Sequence, residues 1–368
     1  MTKKSTLIIG LIGLLALPLV GACAEPAPTT APRSEPAQKV VWKMHHFRPA
    51  TQDEVPYQQL VCDEIFERSG GRLEIEIYPE YSLGYDPSTW LRDIKEGVID
   101  ITTTSNMFTA GEEPSFSVLD APQIWRSRDQ TLLAAGAFFS FKKKVYKEVW
   151  GGELLAQGTT LESGSEVIFT KGVVIRSVAD LKGLKIRVPG GRYLELYTEL
   201  GVAPQSMGMG EIYMAMKTGV IDGLRTGSGS VNQLKLYEVA DQAVKLGSWP
   251  ALMQDLVVSD RAWNEIPPDL QEIVRDEFQK WGNGMVAHVV HCPYVDDLYW
   301  IEENEKQGIT YGEMPETELA KIREVALGVL TAWVNKTGGR TAEAFEIIKP
   351  FVVQQTEAGK PTTFYGYK

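Results

Sequence analysis

Two hydrophobic periods, one of 2 and one near 3.6, divide much of the chain into short strands and amphipathic helices. The β-branched and aromatic run KVVWKMHHF predicts a first strand near residue 40. Tyr57, Leu60, Val61 and Ile65 then fall at helical spacing, and SGG ends that helix. RLEIEIYP alternates Leu73, Ile75 and Ile77 with charges, as a half-buried strand does. PSTWLRDIKEG reads as a short helix with Pro87 in its first turn and Gly97 at its stop, leading into the strand start of VIDITTTS. Strand, helix, strand, helix, strand is the rhythm of an α/β layer architecture.

The rhythm recurs further on. GLKIRVP is followed by RYLELYTELG, in which Tyr193, Leu194, Tyr197 and Leu200 share a helix face, and then by GEIYMAMKTGVIDG. IKEGVID at 94–100 and MKTGVID at 216–222 each follow a strand that ends in proline, Pro79 or Pro189. This match makes the Arg187 strand the counterpart of RLEIEIYP and predicts two lobes of related construction. From Pro267 to Gly308 the pattern is helical with a break at Pro293, and it is helical again from Glu316 to Thr337. Such helices can brace both lobes.

At 368 residues and 43% hydrophobic, the chain exceeds one ordinary core, so two domains are the default. The net charge of −11, with no long basic run, argues against a nucleic-acid partner. Residues 1–22 carry Lys3 and Lys4, an apolar run from Leu7 to Val20 and a small-residue end. That run is shorter than the roughly 20 residues of a spanning helix, so it reads as an export signal. It ends in LVGAC, which resembles the bacterial lipobox and makes Cys23 the lipidated first residue; an ordinary cleaved signal with a free Cys23 is the alternative. The segment after Cys23, AEPAPTTAPRSEPAQ, reads as an extended tether. Cys62 and Cys292 remain, as a disulfide or as separate buried thiols.

Catalytic signatures are missing: the sequence has no G-x-S-x-G, H-E-x-x-H, Walker A or G-x-G-x-x-G motif. His288 and His291 share a helix face beside Cys292, which leaves a periplasmic metal or redox protein as the alternative reading. TTTSNMF, at 102–108, follows an apolar strand with hydroxyls, an amide and an aromatic ring. Open α/β sheets usually take ligands at that end of a strand, although an ordinary polar turn fits as well. Arg187 has two readings. It is a surface partner of a neighbour such as Glu195, or an anion clamp whose guanidinium binds a carboxylate through two parallel hydrogen bonds. If the core takes Ile186 and Val188, alternation turns Arg187 the other way.

The lipobox, GGRLEIEIYPEYSLG, IKEGVIDITTTS, FSVLDAPQIWRSRDQ, VADLKGLKIRVPGG and MGEIYMAMKTGVIDG occur in one order, the set after the lipobox lying between Val40 and Thr337. The ordered set resembles the DctP-type substrate-binding proteins of TRAP transporters, the tripartite ATP-independent periplasmic transporters. The resemblance implies an α/β fold of the two-lobed periplasmic-binding-protein kind, with hinge strands and a long C-terminal bracing helix. Behind a signal peptide at 1–22 and a lipidated tether at 23–37, lobe I would take 38–164 plus 253–292, and lobe II 165–252 plus 293–368.

The same resemblance implies a site. Arg187 would meet the ligand carboxylate, Met209 and Glu211 of the GE-x-Y region would line the pocket, and Thr226 would supply a polar contact. Lobe I would offer His46, Phe47, Ser105, Asn106 and Phe108, and Trp249 an aromatic wall. Glu166 stands where sugar-acid binders of the family carry a second arginine. LRTGSGS replaces the glutamate and tryptophan of members that bridge their ligand through a metal ion. Arg225 is thus a candidate second cationic donor, and Glu162 or Glu166 either meets a ligand hydroxyl or amine or lies at the surface. The implied function is capture of a small organic acid without cofactor, metal or catalysis, in the periplasm on a lipid anchor, for delivery to the small and large membrane subunits.

Overall fold

The computed structural model describes residues 39–48, 50, 54–79, 82–159, 166–247, 253–291 and 293–353. The export segment, Cys23, the tether, Glu162, Trp249 and Cys292 lie outside the described residues. From Lys39 the chain runs through β1 (Val40–His46), α1 (Glu54–Arg68), β2 (Leu73–Pro79), α2 (Trp90–Lys95), β3 (Ile101–Ser105), α3 (Asn106–Thr109), α4 (Arg128–Val149) and β4 (Gly152–Thr159). It continues through β5 (Val167–Thr170), β6 (Ile186–Val188), α5 (Arg192–Glu199), β7 (Gln205–Ser206), α6 (Ile212–Lys217), β8 (Gly223–Thr226), α7 (Ser228–Gln233) and β9 (Gln242–Lys245). β10 (Met253–Ser259), α8 (Asp260–Glu265), α9 (Pro268–His291), α10 (Pro293–Lys306), β11 (Thr310–Glu313), α11 (Glu316–Thr337) and α12 (Gly339–Val353) complete it.

The strands form two sheets, ordered β2-β1-β3-β10-β4 and β11-β9-β5-β8-β6-β7. In the first, β1 pairs parallel with β2 and β3, while β10 runs antiparallel between β3 and β4. In the second, β6 pairs parallel with β7 and β8, while β5 runs antiparallel between β8 and β9. The five strands of the first sheet match five of the second in order and direction, and β11 adds a sixth strand parallel to β9, so the expected kinship of the two halves is present. Each sheet takes one strand from the other half of the chain, because β5 follows β4 and β10 follows β9.

The sheet order corrects one expectation. β6, which carries Arg187, occupies the place of β1, and the counterpart of β2 is β7. β7 has only two residues, both exposed. So short a strand leaves no alternation to detect, which is why the motif match paired β6 with RLEIEIYP.

Periodicity explains the packing. On one face of the first sheet, Trp42, Met44, Leu73, Leu256 and Val258 pack against Ile65 of α1 and Phe278 and Trp281 of α9. Leu60 of α1, expected on the buried face, is 66% exposed, and Gln58 and Cys62 take the inner side instead. A second core joins the other face, through Phe116, Phe138 and Tyr146, to Ile186, Val188, Leu196 and Tyr197 of the second half. α11 packs on α5 and α12, and α12 packs on α4, so the C-terminal helices brace both halves. The third core, Phe169, Leu224, Ile212, Met216 and Val231, covers the remaining face of the second sheet.

Candidate functional site

Arg187 stands near the carboxyl end of β6. Gly190 and Gly191 then turn the chain at φ values of 111° and 55°, in a region that side chains disfavour. Ile186 and Val188 are fully buried against Leu196 and Tyr197, so alternation turns Arg187 to the opposite face. There it is in register with Leu224, two residues before Thr226, so Arg187 and Thr226 share a face. Met209 is half-buried on the same side, packed into the core of Ile212 and Met216. The guanidinium donates from Nε and one Nη to the Met207 carbonyl at 3.1 and 3.0 Å. It is 7% exposed and has no carboxylate partner among the described residues, and burial lowers its pKa. The ion pair with Glu195 is not formed. A buried charge without a counterion is costly, and an anion placed against it would relieve that cost.

The other cation of the region is already neutralised. Arg225, on the opposite face of β8, ion-pairs with Glu166, which also accepts from Gln123 Nε2 and the Tyr193 hydroxyl. Its guanidinium lies 4.4 Å from the Tyr193 ring centroid. Burial pulls Arg225 down to about 9, which leaves it charged at neutral pH. Glu166 is therefore buried and paired, neither at the surface nor free for a ligand in this structure, and the charge of Arg225 is spent on it.

In the first half, His46 is 1% exposed, with Nδ1 accepting the Arg48 backbone N–H at 3.0 Å and Nε2 buried without a partner. Loss of hydration drops its pKa to about 3, so the ring is neutral. Phe47 stacks beside His46, with ring centroids 5.5 Å apart, and meets Phe108 at 5.4 Å between ring centroids, with Trp90 6.3 Å from Phe108. Ser105 closes β3 and is buried. Asn106 is wholly buried with both amide ends in use, Oδ1 accepting from Lys142 at 2.5 Å and Nδ2 donating to Asp120 at 3.1 Å. Glu211 is exposed and accepts the Gly208 backbone N–H at 2.8 Å, shaping its own turn. Thus Arg187, Met209 and Thr226 come together, Phe47 and Phe108 come together, and Asn106 and Glu211 are occupied locally.

Sequence reading missed Asp120, Lys142 and Asp255. Lys142 and Asp255 form an ion pair with both side chains fully buried, and Tyr146 and Gln157 donate to Asp255 at 2.8 and 3.0 Å. Asp120 lies in FSVLDAPQIW, which carried the resemblance but no role.

Among the described residues, no group of three or more His, Cys, Asp or Glu is placed to hold a metal ion. Cys62 is a free buried thiol. Nothing is described of the side chains of His288, His291 and Cys292. Two surface grooves, of about 530 and 820 Å³, lie beside β9 and β11 and between α5 and α11, and neither includes Arg187.

The model of the DctP family, described as bacterial extracellular solute-binding protein, family 7, matches residues 44–336. A solute-binding protein of Sulfitobacter sp. is 27% identical over 59% of this chain and 64% of its own length, so the chain spans just under two thirds of that relative. A monocarboxylate 2-oxoacid-binding periplasmic protein of Nostoc sp. is 28% identical over 64% of each chain. The crystal structure of a TRAP periplasmic solute binding protein from Desulfovibrio salexigens, with bound orotic acid, superposes with a TM-score of 0.71 at 22% identity. That match covers 86% of this chain and 99% of the other, and it supports the two-lobed fold.

Proposed function

The chain belongs to the DctP family, family 7 of the bacterial extracellular solute-binding proteins, and on that premise we propose that it is the receptor of a TRAP transporter. It captures a small organic acid between two lobes and hands it to the small and large membrane subunits, with no chemistry of its own. The observation that carries this reading is Arg187, a buried guanidinium whose only described partner is one backbone carbonyl. Closure over a carboxylate would remove water from both groups and strengthen their charge-assisted hydrogen bonds. Thr226 and Met209 would flank that end of the ligand, while Phe47 and Phe108 would shape its body. The relatives that bind a 2-oxoacid and orotic acid support the acid class. No observation favours the metal or redox alternative.

Truncating one member of a desolvated charge pair costs roughly 2 to 5 kcal/mol. Arg187→Ala should therefore weaken a calorimetrically identified organic acid by more than tenfold while the far-ultraviolet circular dichroism is kept. Undiminished binding would overturn the reading.

Three finer points belong to the same proposal. The lobes are 38–164 plus 253–292 and 165–252 plus 293–368, with α12 packing back on α4. Trp249 lines the cleft. Cys23 is the lipid-bearing residue of a periplasmic protein, so Cys23→Ser should abolish incorporation of a labelled fatty acid, and undiminished labelling would count against the anchor.

A further inference from the structure

β11 is the outermost strand on one side of the second sheet, with β9 as its sole strand neighbour among the described residues. The Thr310 and Met314 N–H groups donate to the Asp241 and Lys245 carbonyls, at 2.9 and 3.4 Å. Alternation directs the Gly312 N–H to β9 as well and turns the N–H and C=O of Glu313 outward. An outward row of backbone groups is a template for another strand, and proteins blunt it with short strands, Lys, Pro or a bulge. On the opposite side of the sheet β7 is only two residues long. β11 instead pairs over four residues in unbroken register and holds neither Lys nor Pro.

The surface beside that edge is shaped to receive a side chain. Gly312 is in register with Val244, and Val244 with Ile168, so glycine leaves the outer end of an apolar row bare. The groove of about 530 Å³ over this row is walled by Val173, Ile175 and Pro315. An aromatic side chain on a neighbouring strand packs well against an edge glycine. The end of α12 is close by. Gln130 of α4 donates to the Phe351 carbonyl near the end of α12 and accepts the Arg126 N–H at 2.7 Å. The Arg126 guanidinium reaches Glu316, the residue after Pro315, at 2.8 Å. These contacts bring the end of α12 toward the carboxyl end of β11.

Residues 354–368 follow α12. Their first part, QQTEAGK, can reach up to about 25 Å when extended. PTTFYGY at 361–367 then supplies the Thr, Phe and Tyr that strands favour. The segment before Lys39 is a poorer match, because it leads into β1 of the first sheet and is interrupted by Pro26, Pro28, Pro32 and Pro36, which lack an N–H. We propose that residues 361–367 add to the outer edge of β11 as an antiparallel strand, with Phe364 over Gly312 in the groove. The direction follows from entry at the carboxyl end of β11. Because α12 packs on α4, the added strand fastens the first half to the edge of the second sheet.

The test is amide hydrogen exchange, read by nuclear magnetic resonance on the purified chain, on a chain ending at Val353 and on Phe364→Asp. The Glu313 amide should exchange at least tenfold more slowly in the whole chain than in the shortened one. The Gly312 amide, directed at β9, should change little and serves as the internal control. Phe364→Asp should release the Glu313 amide as the truncation does. Rapid exchange at Glu313 in the whole chain overturns the proposal even if neither variant folds, and so does equal protection with and without residues 354–368. Slow exchange retained in folded Phe364→Asp overturns the packing over Gly312. Repeating the measurement at a tenfold lower protein concentration separates the remaining occupant: protection lost on dilution assigns the edge to a second copy of the chain and overturns the proposal, whereas unchanged protection supports it.

Discussion

At the scale of single residues, three buried titratable groups set opposing pH dependences. His45 and His46 are held down to about 4 and about 3, each mainly by loss of hydration. Asp120 is held up to about 7, again mainly by loss of hydration. Between about pH 4.5 and 6 the unfolded chain carries a proton on both imidazoles and the folded chain on neither. Asp120 works the other way, protonated when folded and ionised when unfolded. The unfolded state thus binds one more proton, and from these groups stability should rise with pH by about 1.4 kcal/mol per unit. Asp120→Asn removes the opposing member and should steepen the slope to about twice that value, while His46→Asn should flatten it. Urea unfolding at half-unit steps of pH measures this. A flat wild-type profile would mean that the imidazoles are not held neutral.

At the scale of elements, close approach decides whether a helical glycine is replaceable. A Cβ on Gly282 of α9 would sit 2.9 Å from the Gln157 carbonyl oxygen and 3.2 Å from Ala156 Cβ, so glycine lets α9 press directly on β4. Gly136 of α4 is exposed and meets nothing within 4 Å. Gly136→Ala should accordingly raise stability by about 0.5–1 kcal/mol through helix propensity. Gly282→Ala should lower it by about 1–3 kcal/mol through overpacking. Paired denaturant titrations check the opposite signs, and a shared sign would refute the packing argument.

The same elements mark where sequence reading succeeds and where it stops. β2, α9 and α11 were legible because each buries one face and exposes the other, whereas β1, whose last three residues are all buried, was legible from its β-branched and aromatic run. β10 was hard to delimit because all seven of its residues are buried, which abolishes alternation. α4 and α12, which carry much of the bracing, went unremarked because their partners lie far away in the chain. Arg187 was legible as a candidate on its motif, but its freedom from Glu195 depends on which face the core takes. Asp120 was invisible because its support comes from Asn106, Lys142 and Asp255, brought together only by the sheet.

At the scale of the whole molecule, two like sheets exchange one strand each, so the halves are joined by paired crossings that permit a hinge rather than free separation. Polar contacts that cross the seam on the proposed division include Arg192 to the Ser117 carbonyl, Gln123 to Glu166, Arg126 to Glu316, Gln130 to the Phe351 carbonyl and Arg340 to Glu113; the one from Gln123 reaches the carboxylate that pairs with Arg225. Gln123 makes its bond to Glu166 at a φ of 62°, a conformation that costs a non-glycine residue about 1–3 kcal/mol and persists only where the surroundings impose it. If its bond to the buried Glu166 carboxylate forms only when the lobes close, it stabilises the closed form. Ligand affinity falls in proportion to the closed population. Gln123→Ala keeps the strained backbone but removes the bond, worth about 1.5 kcal/mol or tenfold in Kd. The loss should appear as faster ligand release in stopped-flow measurements, with a larger scattering radius of the free protein and the Arg187 contact intact. A Kd and radius equal to wild type would place Gln123 outside the closure equilibrium.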